Sequence, residues 1–79
     1  MKINVQYFAL MREQAGRAQE SLDTQAMTPA ALFAELSEKH AFSLGRDQLK
    51  VAINSEFGSW TQTLAAGDTV VFIPPVAGG

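Results

Sequence analysis

The run Thr69-Val70-Val71-Phe72-Ile73 is apolar on both faces of an extended chain, and Pro74 and Pro75 come directly after it. A strand with large side chains on both sides needs cover on both sides, which places it inside a sheet rather than at an edge. Proline has no N–H and cannot continue a ladder, so Pro74 ends the strand. Pro75 then holds Pro74 extended and aims the last residues away from the body. Val76, Ala77, Gly78 and Gly79 carry small side chains or none. Residues 75–79 reach roughly 17 Å when extended. Glycine adopts backbone angles closed to other residues, so such a segment can enter a narrow channel of another protein. Small residues at a terminus are also the composition of a fraying end. The direct exit from an apolar strand through Pro-Pro favours a built tail. The expected organisation is one domain over residues 1–74 and a flexible tail over 75–79.

Seventy-nine residues form one domain, near the lower limit for a core without staples, and 47% hydrophobic against 18% charged residues supply that core. A net charge of −2 with scattered signs leaves no basic footprint, which argues against a nucleic-acid partner. The absence of cysteine removes disulfides, thiolate metal sites and thiol chemistry from this chain. Asn4 and Gln6 interrupt any apolar signal region, and no run approaches a membrane span, so no membrane association is expected and a cytoplasmic protein is.

Lys2 to Ala9 begins with strict alternation, Ile3, Val5 and Tyr7 against Lys2, Asn4 and Gln6, which is a half-buried strand. Phe8 breaks it by placing an aromatic on the polar face. Ala9 to Ala15 reads as a short helix capped by Gly16. Ala18 to Thr24 reads as an edge strand in a hairpin with the first. Thr28-Pro29 starts a helix, an N-cap hydroxyl followed by proline at the first helical position. It runs to His40 or Ala41, with Leu32, Phe33 and Leu36 on one face and Glu35–Lys39 as an i,i+4 pair. Phe42 and Leu44 tuck under the next loop. Leu49, Val51 and Ile53 alternate with Lys50, Ala52 and Asn54 as a third strand, and residues 57–60 add a short fourth. Gly67-Asp68 turns the chain into the last strand.

One main helix covers only one face of so small a mixed sheet. With the last strand beside the first in the middle, Val70 and Phe72 face the helix with Ile3, Val5, Leu32, Phe33, Leu36, Val51 and Ile53. Val71 and Ile73 then face the uncovered side together with Phe8 and Phe57. Apolar residues gathered on an open face mark a partner site, although they can also simply pad a sheet.

Catalytic equipment is sparse. His40, the single histidine, reads as solvated or as complementing the helix dipole. Lys50 reads as a solvated strand charge with an interface role as the alternative. There is no phosphate loop, metal-ligand cluster or nucleophile beside a base. The distinctive reactive group is the terminal carboxylate. A free carboxylate must be activated before it can transfer its acyl group, and adenylation from ATP is the usual route. A sulfur nucleophile can then turn the acyl adenylate into a thiocarboxylate.

The segments Leu64-x-x-Gly67-Asp68-x-Val70-x-Phe72-x-Pro74-Pro75-Val76-x-Gly78-Gly79 and Tyr7-Phe8-Ala9-x-x-Arg12-Glu13-x-x-Gly16 resemble the small subunit of molybdopterin synthase. The resemblance covers the whole length and implies an α+β fold, the ubiquitin-like β-grasp, with about five strands. It also implies a glycyl adenylate and then a 1-thioglycine at Gly79, made by an adenylating enzyme resembling ubiquitin activators, which consumes the ATP. No cofactor or metal is expected on this chain. Pro74, Pro75, Val76, Ala77 and Gly78 would lie along the large synthase subunit, which holds the pterin precursor and the catalytic side chains. Phe8, Phe57, Val71 and Ile73 would form the docking surface. The sulfur carrier of thiamine synthesis, a ubiquitin-like modifier and a binding module without chemistry are the alternatives.

Overall fold

The computed structural model describes residues 1–75. The expectations for Val76, Ala77, Gly78 and Gly79 lie outside the described residues. The elements are β1 (Lys2–Tyr7), α1 (Ala9–Ala15), β2 (Gln19–Asp23), α2 (Pro29–His40), a 3-10 turn (Arg46–Gln48), β3 (Lys50–Ile53), β4 (Glu56–Phe57) and β5 (Thr69–Ile73). The strands form one sheet in the order β2-β1-β5-β3-β4. β5 is the central strand, parallel to β1 and antiparallel to β3. The α+β class, the mixed sheet and the single main helix agree with expectation, and so does the inner position of the last strand.

Alternation along the strands explains the core. Ile3, Val5, Val70 and Phe72 are fully buried and join Leu32, Phe33, Leu36, Val51 and Ile53 in one cluster. Phe72 meets Phe33 edge-to-face, with ring centroids 5.4 Å apart. Tyr7, Met11, Phe42, Leu49 and Leu64 complete the cluster. Leu64 lies in the long connection before β5, which is tied across the start of α2. Trp60 C=O accepts from Ala30 N at 3.0 Å, and Leu64 N donates to Met27 C=O at 2.8 Å. The fourth strand is shorter than expected, because Trp60 leaves the sheet and stacks on Phe72 at 5.8 Å.

The chain ends its helices with recognisable caps. Thr28 Oγ1 accepts from Ala31 N at 3.2 Å, with Pro29 opening α2. Gly16 closes α1 in the left-handed region at φ 75°. Ala41 closes α2 in the same region at φ 55°, donating its N–H to Ser37 C=O at 2.8 Å. Ala9 is also left-handed, φ 51°, which stops β1 at Tyr7 rather than at Ala9. The β3–β4 hairpin turns through Asn54 and Ser55, both at positive φ, the type I′ geometry that matches strand twist. Asn54 is fixed there by Thr69 N on Oδ1 and by Nδ2 on Asp68 Oδ1, each at 2.9 Å.

Glu20 of β2 is the unexpected residue. Its carboxylate points to the helix-covered side, and its side chain is only 3% exposed. Tyr7 Oη donates to Oε2 at 2.5 Å, Lys39 Nζ to Oε1 at 3.0 Å, and His40 Nε2 lies 2.8 Å from Oε2. Burial alone would raise the Glu20 pKa. The hydrogen bonds from Tyr7, His40 and Lys39, with the Lys39 charge, outweigh it and hold the value at about 2. An ionised carboxylate only accepts, so His40 Nε2 carries a proton. Burial and Glu20 together push the Tyr7 phenol well above its ordinary range. His40 is therefore not solvated: it is nearly buried and packs against Tyr7 and Phe42. The expected Glu35–Lys39 pair is also replaced. Lys39 serves Glu20, and Glu35 Oε2 accepts from Thr24 Oγ1 at 2.8 Å. Both long side chains bind the edge strand and its outlet to α2, where a buried acceptor outweighs a solvated helix pair.

The caps and the Glu20 cluster are each open to test. An alanine at φ 55° carries the left-handed penalty that glycine avoids, so Ala41→Gly is expected to stabilise the fold by about 0.5–1 kcal/mol. Thermal melting checks it, and a lowered Tm would contradict the capping role. Glu20 has a folded pKa of about 2 against an ordinary 4.5. Its contribution is thus complete above pH 4.5 and is lost as pH falls through 2, up to about 3 kcal/mol in all. Glu20→Gln is expected to lower stability at pH 7 and to flatten the acid limb of the stability curve between pH 5 and 2. Equal slopes for the two proteins in that window would rule out an ionised Glu20.

Candidate functional site

The side of the sheet away from α2 carries the residues singled out for docking. The strand registers align Gln19, Gln6, Val71, Ala52 and Phe57 in one row from edge to edge. In the next row Lys50 stands opposite Ile73. Phe8 is the residue after Tyr7, which pairs with Phe72, and its backbone is extended at φ −124°, ψ 154°. Alternation then turns Phe8 away from the buried side occupied by Tyr7, to the level of Ile73. Phe8 is 47% and Phe57 74% exposed, while Val71 and Ile73 are half-buried. All of them share the open face. Leu10 of α1, 41% exposed, is a further apolar residue close to Phe8 in sequence that the strand pattern did not single out.

The open face is divided. Toward β2 it is polar, with Lys2 opposite Asp23 at one end and Asn4, Gln6, Gln19, Ser21 and Thr69 around a depression of about 460 Å³. Toward β3 it is apolar and grooved. Leu49, Phe57, Ile73, Pro74 and Pro75, together with Asp47, Gln48 and Lys50, line a cavity of about 370 Å³. β5 ends at Ile73, Pro74 is half-buried and Pro75 is exposed. The tail therefore starts at the wall of the groove. Pro74 and Pro75 are placed together with Phe57 and Ile73, whereas Phe8 and Val71 lie outside the groove on the same face.

The groove itself is not legible from periodicity. Leu49 and Asp47 reach it through the 3-10 turn, and strand alternation says nothing about a turn. Lys50 has a signal: it alternates with Val51 at the start of β3, so an antiparallel pairing of β3 with β5 puts it beside the tail root. Its Nζ lies 5.9 Å from the centroid of the Phe57 ring.

Among the described residues this face shows no nucleophile hydrogen-bonded to a base. The buried Tyr7–Glu20–His40–Lys39 cluster lies on the helix side, and among the described residues no buried side-chain polar atom lacks a partner. A cluster with every hydrogen bond satisfied within the fold is structural. No group of three or more potential metal ligands occurs among the described residues, and no described helix is long and apolar enough to cross a membrane.

Comparison with known proteins extends this geometry. The profile of the ThiS family matches residues 5–79. The molybdopterin synthase sulfur carrier subunit of Escherichia coli is 35% identical over 80 residues, covering 98% of this chain and 99% of the relative. The protein of the same name from Haemophilus influenzae is 34% identical with the same coverage. Among solved structures, SAMP1 from Haloferax volcanii superposes with a TM-score of 0.83 at 27% identity, over the full length of both chains. The topology and these likenesses make the fold a ubiquitin-like β-grasp. With a family profile spanning all but the first residues and near full-length relatives above 30% identity, the chain belongs to the ThiS family.

Proposed function

We propose that this protein is the sulfur carrier of molybdopterin synthase, donating sulfur from a thiocarboxylate at Gly79 to a pterin precursor in molybdenum cofactor synthesis. The observation that carries the reading is the exit of the chain from the central strand, through Pro74 and Pro75, at an exposed apolar groove. The near full-length relatives named molybdopterin synthase sulfur carrier subunits support it. In the first step a carboxylate oxygen of Gly79 attacks the α-phosphorus of ATP, and pyrophosphate leaves. In the second a hydrosulfide anion from the sulfur donor attacks the acyl carbon, the C–O bond to AMP breaks, and AMP and a proton depart, leaving a 1-thioglycine thiocarboxylate. The adenylating enzyme supplies the ATP chemistry, and the large synthase subunit supplies the pocket and catalytic side chains. This chain contributes the tail, its root and the docking face of Phe8, Phe57, Val71 and Ile73.

A second reading, a ubiquitin-like modifier, has the likeness to a small archaeal modifier protein in its favour. In that case the activated Gly79 passes to an amine instead of to sulfur. The thiamine-pathway carrier shares the activation chemistry and differs in the acceptor of the sulfur.

Intact mass separates these outcomes. With the adenylating enzyme, ATP and a sulfur donor, the chain is expected to gain roughly 16 Da, one oxygen exchanged for sulfur. Deleting Gly79, or extending the chain beyond it, is expected to abolish the gain without shifting the Tm. Transfer from an unclipped extended chain would refute the carrier mechanism, and an amide-linked adduct would favour the modifier. Sulfur transfer to the pterin precursor in the presence of the large subunit distinguishes the two carriers.

The face is tested separately. Phe8→Glu and Ile73→Lys place an unpaired charge in the docked interface and are expected to weaken binding of the large subunit by at least about 2 kcal/mol. Their Tm in isolation is expected to stay close to that of the parent. Val5→Asp charges a fully buried position and is expected to unfold the domain. If Phe8→Glu or Ile73→Lys melts like Val5→Asp, the two faces of the sheet have been assigned the wrong way round.

A further inference from the structure

We infer that Lys50 is the receptor for a carboxylate on the partner, and that the partner surface meeting the tail root is an acidic residue set among apolar side chains. The inference rests on the docking reading above and specifies the chemistry of its partner. β3 holds Lys50 opposite Ile73, in the row through which the chain leaves the sheet. A partner that grips the tail at Pro74 and Pro75 therefore covers Lys50 as well. The ammonium has little to compensate it there. Salt bridges among the described residues engage Lys39 and His40, both with Glu20, and none engages Lys50. The Phe57 ring offers its face at 5.9 Å, a weak attraction that supplies no hydrogen bond. Asp47 lines the same groove without pairing with Lys50.

Beside Lys50, Asp47 and Gln48, the groove is apolar: Leu49, Phe57, Ile73 and the two prolines. An apolar partner surface fitted to those residues would take water from the ammonium and return nothing. A carboxylate would return a charge-assisted hydrogen bond in surroundings where it is stronger than in water. Backbone carbonyls of the partner are the neutral alternative, and they predict a weaker dependence on charge and salt. An acid on the partner also fixes orientation. Lys50 gives the groove its one cationic point of register, close to where the tail must enter its channel.

The test uses the full chain and the large subunit of molybdopterin synthase from the same organism as probe. Binding is measured by calorimetry at low and high salt for the parent, Lys50→Arg, Lys50→Met, Lys50→Glu and the docking-face control Phe8→Glu, each first checked for an unchanged Tm. Lys50→Met is expected to bind about tenfold more weakly and Lys50→Glu about a hundredfold, with Lys50→Arg within about threefold of the parent. The salt dependence of the parent is expected to be largely absent in Lys50→Met. Tighter or unchanged binding by Lys50→Met, or a Lys50→Glu within threefold of the parent, overturns the inference. If Phe8→Glu loses binding while the Lys50 variants do not, the docking face stands and the Lys50 inference alone falls. If Phe8→Glu binds like the parent, the docking reading falls first.

Discussion

The parallel pairing of β5 with β1 is the constraint on which the rest of this structure depends. β5 is the last element in the chain, yet it is the middle strand, and its backbone is held by β1 on one side and β3 on the other. A parallel neighbour cannot be reached by a tight turn. The intervening chain must cross over, and α2 and the long connection through Trp60 and Leu64 are that crossover, laid over one face. Val70 and Phe72 fasten β5 to this layer. Val71 and Ile73, which the same strand must put on the other side, are left without a layer of their own. The open apolar face is thus a consequence of using the terminal strand as the centre of the sheet.

The two faces divide polar chemistry from contact surface. On the helix side a carboxylate is buried and every one of its donors comes from within the fold: Tyr7 from β1, Lys39 and His40 from the end of α2. That arrangement is costly to form and strongly directional, and it locks the edge strand to the helix in one geometry. Among the described residues the open side carries no such network near the tail.

How much of this is legible in the sequence depends on the range of the interactions involved. Alternation and caps are local, so β1, α1, α2, β3 and β5 can be read from Ile3, Val5, Thr28-Pro29, Gly16 and the Pro-Pro stop, although the end of β1 is set by the left-handed Ala9, which the pattern does not show. The central position of β5 can be read from one strand, because two-sided apolarity has a single solution. Glu20 cannot. An acid in an edge strand is ordinarily solvated, and only the packing of α2 on the sheet brings Lys39 and His40 within 3.0 Å of it. His40 and the Glu35–Lys39 spacing mislead for the same reason: a helix-surface rule does not hold for residues that face a neighbouring strand. Trp60 has the sequence context of a strand and instead packs, partly buried, against the core, since an indole gains more from stacking on Phe72 than from a fourth ladder. Periodicity places the docking residues, while the groove beside them arises from a 3-10 turn that periodicity does not encode.

A short tail places a demand on the face from which it leaves. Residues 75–79 span roughly 17 Å at full extension. On the carrier reading, the acyl carbon at Gly79 must reach a reacting centre inside a second protein, and every ångström between the docked face and that centre is subtracted from this reach. A partner held at the polar half, around Gln6 and Gln19, would sit one to two strands from the exit and leave part of the tail lying along the sheet, strands being roughly 4.8 Å apart. A partner held at Ile73, Phe57 and the prolines starts the count at zero. The groove is also formed in part by the rigid Pro74 itself, so docking fixes the direction of the tail as well as its origin. On that reading, contact energy and aim come from the same few residues at the end of β5.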